Sequence, residues 1–296
     1  MDSGLERLSR NISNDIEEEL FRIGILCRLF ARAKSKESIE RKMSKKTYSD
    51  SKKIQDLIGI RVVVYFKDDL PLVHRALKSK FNFVDETVDK TNETVFEPNR
   101  INLIFRLKDD YIPEVQDTAI AEYNFIDTTY EVQLRTILSE GWHEVEHDLR
   151  YKCNDEWDDL KELSRTLNGI YASLETNDWS ILSLFDQLSY EHYKKGNMTA
   201  MIRNKFRIRF VGEPINKELS EIIANSDVLM KQIFRTDRME FLNQIFDDGI
   251  RFPLTMSNLI YVLNGYYLNN KEIKGITPKF ILDKKEIFPL SKLDTV

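Results

Sequence analysis

The stretch Thr129-Tyr130-Glu131-Val132-Gln133-Leu134-Arg135-Thr136 alternates apolar and polar side chains over its whole length. This alternation is typical of a strand that buries one face and shows the other. From residue 137 the apolar spacing becomes helical, through Ile137, Leu138, Gly141, Trp142, Val145 and Leu149. The stretch therefore predicts a half-buried strand that runs directly into an amphipathic helix.

Two further stretches predict strands of the same sheet. Residues 57–66 are β-branched and apolar, and a helical spacing follows over 68–81. Residues 100–107 alternate, with Ile101, Leu103, Phe105 and Leu107 on one side. The predicted fold class is α+β, with a mixed or antiparallel sheet flanked by helices.

The rest of the chain reads mainly as helix. A helix is predicted over 12–30, and the basic stretch 32–42 is expected to join it to another helix. Helices are also predicted over 157–188 and 216–268, with one short strand at 205–211 that would display a basic stripe. A polar segment at 192–198 contains a glycine, so we expect two domains, residues 1–190 and a mainly helical 195–296.

Composition excludes several classes of protein. With 42% hydrophobic and 31% charged residues among 296, the chain can form a core, so wholesale disorder is excluded. The charge of −5 argues against a protein built to neutralise a nucleic-acid duplex. The two cysteines, Cys27 and Cys153, lack the spacing of a disulfide framework or a zinc finger. No apolar run approaches about 18 residues, so we expect a cytoplasmic protein that does not contact membranes.

The open face of the predicted sheet carries an unusual set of side chains. Arginines suit the binding of phosphate oxygens, and two carboxylates from separate strands suit Mg²⁺. The alternation alone favours a different interpretation, namely a solvated face held by ion pairs. The set consists of Arg61, Arg100, Asn102, Arg106, Glu131, Gln133 and Arg135, with Asp56 at the start of the first strand.

Four motifs in order resemble the RelA/SpoT-type (p)ppGpp synthetase domain, a family that includes small alarmone synthetases. They are Arg32-x-Lys34-x₃-Ser38-x₃-Lys42, Asp56-Leu57-Ile58-Gly59-Ile60-Arg61, Glu131-Val132-Gln133-Leu134-Arg135-Thr136, and Trp142-x₃-Glu146-His147-x₃-Tyr151-Lys152. The resemblance spans residues 20–152, about half of the chain. It implies a nucleotidyltransferase-like fold and the Mg²⁺-dependent transfer of pyrophosphate from ATP to the 3′-hydroxyl of GDP or GTP.

The resemblance also implies a role for each matching residue. ATP phosphates would be bound by Arg32, Lys34, Lys42 and Arg61, with Ser38 supporting that loop. Asp56 and Glu131 would hold Mg²⁺, and Glu131 would also accept the proton of the attacking hydroxyl. Gln133 and Arg135 would orient the carboxylate and the phosphates, while His147 and Lys152 would lie behind these residues.

The acceptor side departs from the family pattern. Pro98 stands where the family has a Tyr that stacks on guanine, Arg100 replaces a Ser, and Asn102 replaces a His. Loss of an aromatic platform forfeits roughly 1 to 3 kcal/mol of stacking per base. Guanine specificity is therefore not expected, and we assign Arg100 and Asn102 to the binding of a different acceptor or its phosphates.

Three alternative functions follow from the same residues. A toxin that pyrophosphorylates the tRNA 3′-CCA end would use the basic stripe Arg203, Lys205, Arg207 and Arg209, and would have an antitoxin as partner. A degenerate nucleotide sensor would bind ATP without turnover. His143-Glu144-Val145-Glu146-His147 matches a zinc-peptidase motif, whose third ligand could be only His192 or one of many carboxylates. We set this motif aside because the synthetase pattern already accounts for His147. The apolar run 157–188 predicts packing on the sheet, with a homo-oligomer interface as the alternative.

Overall fold

A computed structural model describes residues 3–35, 37–40, 55–89, 101–116, 127–212, 214–284 and 287. The chain divides into two compact units, Met1–Glu19 with Cys27–Ser180 and Leu20–Leu26 with Ile181–Val296. The change from one unit to the other at Ser180 lies inside a long helix. The domain boundary expected at residues 190–195 lies near the end of that helix and stays a prediction.

The first unit is built on a five-stranded sheet. Its strands are β1 (Cys27–Ala33), β2 (Ile58–Val64), β3 (Phe83–Val88), β4 (Ile101–Arg106) and β5 (Thr129–Thr136), in the order β1-β2-β5-β4-β3. Strands β2 and β5 are parallel, and the other neighbours are antiparallel. The sheet is mixed and flanked by helices, which confirms the predicted fold class.

The helices of this unit are α1 (Ser3–Arg22), α2 (Leu70–Lys80), α3 (Ile112–Gln116), α4 (Ile137–Glu146) and α5 (Lys161–Lys194), with a π-helical turn at His147–Tyr151. The change from β5 to α4 is sharp because Thr136 caps the helix. Its hydroxyl accepts the Ser139 N–H at 3.1 Å, and the Ser139 hydroxyl accepts the Thr136 N–H at 3.1 Å. This reciprocal pair satisfies two backbone donors at the helix start.

One face of the sheet forms the core. The side chains on it include Ile60, Val62, Leu103, Phe105, Val132 and Leu134, all of which are buried. The predicted alternation in β5 and β4 is therefore real, and the opposite face is left for polar side chains.

The predictions fail around residue 27. The helix expected to reach Phe30 ends at Arg22, because Gly24 adopts a left-handed φ of 74° and the chain turns into β1. Arg32, expected between two helices, is therefore a strand residue that pairs with Gly59 of β2. Strand β3 was not predicted, and most of its side chains are exposed.

The second unit is helical, as predicted. Beyond the end of α5 it contains α6 (Met198–Phe206), α7 (Lys217–Ala224), α8 (Asp227–Arg235), α9 (Arg238–Asp247), α10 (Met256–Leu263), a π-helical turn Asn264–Leu268, α11 (Lys271–Gly275) and α12 (Lys279–Leu282). Within the described parts of both units, no helix is long and apolar enough to span a bilayer.

The short basic strand expected at 205–211 is wrong. Helix α6 continues through Phe206, and Arg207 then ends it in a left-handed conformation with φ of 45°. Arg207 is buried, with Nη1 at 3.8 Å from Asp186 Oδ1. Burial also lowers the pKa of Lys205. These cations therefore do not form the exposed stripe that the alternation predicted.

Candidate active site

The polar face of the sheet gathers residues from three strands. In the register of β2 and β5, Arg61 is opposite Gln133 and Gly59 is opposite Glu131. In the register of β4 and β5, Asn102 is also opposite Gln133. Because directly paired residues point to the same face, these side chains share one surface.

This face borders a cleft of about 710 Å³ in the first unit. Most of the predicted site residues line it, and they come from β1, β2, β5, the loops beside them and the end of α4. The predicted residues in the lining are Arg32, Lys34, Ser38, Asp56, Arg61, Glu131, Gln133, His147 and Lys152. Asn102 and Arg135 contact residues of the lining instead, and Lys42 and Arg100 lie outside the described residues.

Glu131 is held by two side-chain amides. Asn102 Nδ2 donates to its Oε1 at 3.0 Å, and Gln133 Nε2 donates to its Oε2 at 3.1 Å. Neutral amides orient a carboxylate without cancelling its charge. Glu131 is therefore fixed in direction and keeps the negative charge that attracts a cation or a proton.

Asp56 meets Lys34 at the edge of the same cleft. Strands β1 and β2 are antiparallel, so the end of β1 lies beside the start of β2. Just beyond β1, the Lys34 N–H donates a hydrogen bond to the Leu57 carbonyl at 2.8 Å. Lys34 Nζ forms an ion pair with Asp56 Oδ2 and lies 3.4 Å from the Asp56 carbonyl. The Lys34 ammonium thus has an anionic partner within the protein.

Arg61 is bound by two carboxylates that the sequence analysis missed. Glu140 and Glu144 are one turn apart on α4, and both form ion pairs with Arg61 Nη1. Burial alone would lower the pKa of Arg61, but hydrogen bonds and charge from these two residues raise it overall. The sequence contained a signal for this contact. Glu140 and Glu144 are at i and i+4 on a helix that follows β5 directly, so one face of that helix presents two carboxylates near the sheet.

Arg135 lies more deeply on the same side. Its Nε is 3.5 Å from Glu140 Oε2, and burial lowers its pKa. Both Nε and Nη1 are buried without a hydrogen-bond partner among the described residues. Glu140 consequently lies beside two guanidinium groups, those of Arg61 and Arg135.

Comparison with known proteins places this site in a family. A sequence profile described as "Region found in RelA / SpoT proteins" matches residues 31–156. The chain contains a RelA/SpoT-type synthetase domain. The matched segment begins in β1 and ends just after the π-helical turn. It includes all the residues that line the cleft except Phe30. A comparison with curated proteins found no match.

The chain is also similar, at low identity, to solved structures. Small alarmone synthetase 1 from Bacillus subtilis is 18% identical, with 61% of this chain and 92% of that chain covered and a TM-score of 0.45. Small alarmone synthetase 2 from the same organism is 22% identical, covers 61% and 94%, and has a TM-score of 0.45. A GTP pyrophosphokinase family protein from Streptococcus pneumoniae is 22% identical, covers 60% and 84%, and has a TM-score of 0.43.

The two histidines of the zinc-peptidase motif have different surroundings in the RelA/SpoT-type domain. His143, expected to be exposed, is buried against Trp142 and Tyr171. Burial, together with the charges of Arg135 and Arg61, lowers its pKa to about 3. His147 instead lies 2.8 Å from Asp148 Oδ1. In the described part of the chain, no group of three or more His, Cys, Asp or Glu side chains is arranged to hold a metal ion.

A magnesium ion carried by a phosphate ligand is a different case. Proteins hold Mg²⁺ with one or two carboxylates, while substrate phosphates and water complete its shell. Asp56 and Glu131 both line the cleft of the RelA/SpoT-type domain, and two neutral amides orient the Glu131 carboxylate. The donor set therefore fits a magnesium–phosphate complex rather than a metal caged by protein alone.

Proposed function

We propose that this chain is a Mg²⁺-dependent pyrophosphotransferase that moves pyrophosphate from ATP to the 3′-hydroxyl of a nucleotide acceptor. The observation that carries the proposal is that Asp56 and Glu131 line the same cleft as Arg32, Lys34 and Arg61. Membership of residues 31–156 in the RelA/SpoT family supports the same chemistry.

ATP occupies the β1–β2 side of the cleft in this proposal. Arg32, Lys34 and Arg61 bind its phosphates, and Ser38 supports the loop after β1. Lys34 and Arg61 exchange their present carboxylate partners for phosphate oxygens as ATP enters. Fork-shaped guanidinium groups suit this task because each binds two phosphate oxygens at once.

The reaction is an in-line substitution at the β-phosphorus of ATP. The acceptor 3′-oxygen forms a bond to this phosphorus, and the bond from it to the oxygen shared with the α-phosphate breaks. AMP leaves with that oxygen, and the hydroxyl proton passes to Glu131. Positioning and charge neutralisation supply most of the acceleration in such transfers.

Glu131 and Asp56 have distinct tasks in this scheme. Asn102 and Gln133 hold the Glu131 carboxylate toward the cleft, so that it is already aligned when the hydroxyl arrives. Asp56 would hold the metal together with Glu131. A bound magnesium ion would neutralise phosphate charge and help to align the polyphosphate.

The acceptor is proposed only as a nucleotide with a free 3′-hydroxyl. Pro98 stands where a stacking aromatic would select guanine, so no base preference is assigned. The tRNA acceptor is not favoured, because Arg207 is buried and residues 205–211 do not form a basic strand.

Product analysis tests the proposal. Purified chain is incubated with γ-labelled ATP, Mg²⁺ and, in turn, GDP, GTP, ADP or deacylated tRNA, and the products are separated by ion exchange. AMP should form together with a labelled acceptor. The matched variants Glu131→Gln and Asp56→Asn keep the side-chain shapes and should lose the activity by at least about 100-fold. Equal AMP from the wild type and both variants, or none with any acceptor, contradicts the proposal.

A further inference from the structure

Among the strand residues that the structure describes, Gly59 is the only glycine. It lies in β2, which has a neighbouring strand on both sides. A glycine inside a strand weakens it, because glycine has no side chain to pack and loses more conformational freedom on folding than any other residue. Its presence therefore indicates a requirement either for an unusual backbone or for the space that a side chain would fill.

The backbone and the packing of the protein do not require a glycine at this position. Strand β2 pairs regularly on both sides, with Gly59 opposite Arg32 in β1 and opposite Glu131 in β5, so there is no bulge. The φ of Gly59 is outside the left-handed region that favours glycine. Among the described residues, a Cβ on Gly59 would have no atom within 4 Å apart from those of its chain neighbours. The remaining reason for a strand glycine is the close approach of a ligand.

The space above Gly59 belongs to the cleft, since Gly59 is one of its lining residues. Arg32, Gly59 and Glu131 are paired across three adjacent strands, so they form a row on the polar face of the sheet. Adjacent strands lie about 4.8 Å apart, which puts the backbones of Arg32 and Glu131 about 10 Å apart. The row thus places a cation and a carboxylate on the two sides of a gap in the layer of side chains.

We propose that the polyphosphate of ATP lies directly against the backbone at Gly59, between Arg32 and Glu131. This inference rests on the proposed function and adds the position of the reacting group. The attacking oxygen must come within about 2.6 to 3.2 Å of Glu131 and about 3 to 3.5 Å of the phosphorus. The phosphorus is therefore two such short steps from Glu131, and the gap at Gly59 is the adjacent place in the row. Arg32, on the other side of the gap, binds phosphate oxygens.

The side chains around the gap favour a phosphate over a base at Gly59. Arg32 and Glu131 are charged, and both suit a complex of phosphate with Mg²⁺. The exposed aromatic ring in this cleft, that of Phe30, is in the neighbouring row, opposite Arg61. A base would gain stacking energy on an aromatic ring and would gain none above a glycine.

Calorimetric titration of the full chain tests the inference. The two probes are inorganic tripolyphosphate and a non-hydrolysable ATP analogue, each with Mg²⁺. Gly59→Ala puts a methyl group where the phosphates would lie and should raise both dissociation constants at least about tenfold. Gly59→Val fills more of the same space and should raise them further.

Gly141→Ala is the matched control. Gly141 lies on α4 outside the cleft lining, and a Cβ there would also have no described atom within 4 Å beyond its chain neighbours and its own helix backbone. This variant should bind both probes as the wild type does. Gly59→Ala and Gly141→Ala should unfold at the wild-type temperature or above it, because alanine is preferred to glycine inside strands and helices.

Three outcomes overturn the inference. They are a wild type that binds neither probe, a tripolyphosphate affinity that is equal in the wild type and Gly59→Val, and a melting temperature of Gly59→Ala more than about 5 °C below that of the wild type. The last would mean that protein atoms fill the space. The proposed function fails separately: if Gly59 controls tripolyphosphate binding but the wild type forms no AMP with any acceptor, the phosphate position holds and the transfer does not.

Discussion

Among the described carboxylates, Glu140 is the one that lies within 4 Å of both Arg61 and Arg135. It contacts Arg61 Nη1 and lies 3.5 Å from Arg135 Nε, with its own side chain only 13% exposed. Glu144 contacts Arg61 alone and is 55% exposed. The same chemical change at these two positions therefore separates a buried charge network from a surface ion pair.

We expect Glu140→Gln to lower the free energy of unfolding by about 2 to 4 kcal/mol, because it leaves Arg135 buried beside Arg61 without an anion. Glu144→Gln, on the same helix face, should cost less than about 1 kcal/mol. Urea unfolding of both variants and the wild type measures the difference. Equal losses would show that Arg135 does not depend on Glu140.

His143 predicts a pH dependence of stability. Its pKa is about 3 in the folded protein, where burial keeps the imidazole neutral, and about 6.5 when the chain is unfolded. The unfolded state therefore binds the proton more tightly, so stability falls as the pH is lowered from 6.5 towards 3. Between pH 7 and pH 5 this residue alone should cost about 2 kcal/mol.

His143→Phe keeps an aromatic ring beside Trp142 and Tyr171 and removes the proton site. The variant should lose about 2 kcal/mol less than the wild type on the same pH change. Urea unfolding at both pH values gives the comparison. A wild type and a variant that respond identically would mean that folding does not lower the pKa of His143.

At the scale of elements, Thr136 at the β5–α4 junction both caps α4 and forms a hydrogen bond to α5. The Thr136 hydroxyl accepts the Ser139 N–H and donates to the buried Asp178 carboxylate at 2.7 Å. It therefore ties the strand, the start of α4 and the middle of α5 together. A residue that could not donate would leave a buried carboxylate without this partner.

We expect Thr136→Val to lower the free energy of unfolding by about 2 to 4 kcal/mol, since the cap and the Asp178 contact are lost together. Ser139→Ala removes only the reciprocal half of the capping box and should cost about 1 kcal/mol. Thermal or urea unfolding of the two variants tests this. Equal losses for Thr136→Val and Ser139→Ala would mean that the Asp178 contact adds nothing and that the stabilisation lies in the cap alone.

Elements with a clear period could be predicted from the sequence, and those without one could not. Strand β5 and helix α4 follow because alternation and helical spacing meet at Thr136. Strand β1 was read as helix because Ile23, Leu26 and Phe30 happen to recur at helical spacing, whereas Gly24 turns the chain. The partners of Arg61 were missed for another reason, since the i, i+4 carboxylates of α4 were not considered together with the strand from which that helix starts.

At the scale of the whole molecule, the cleft is electrically balanced before any ligand binds. Among its described lining residues, the cations are Arg32, Lys34, Arg61 and Lys152, and the anions are Asp56, Glu131, Glu140 and Glu144. The chain as a whole carries −5. The positive charges of the lining are therefore balanced by its carboxylates when a triphosphate alone enters. The net negative charge of the protein also repels the triphosphate.

This balance predicts that nucleotide affinity depends strongly on the metal. Calorimetric titration with a non-hydrolysable ATP analogue should give a dissociation constant at least about tenfold higher in EDTA than with Mg²⁺, because the four lining carboxylates then repel the phosphates. Asp56→Asn should reduce this ratio, since it removes one proposed metal ligand. Glu144→Gln should lower the dissociation constant in EDTA by freeing Arg61 of one competitor, while the metal dependence persists. Equal affinity with and without Mg²⁺ would mean that Asp56 and Glu131 act on the substrate without holding an ion.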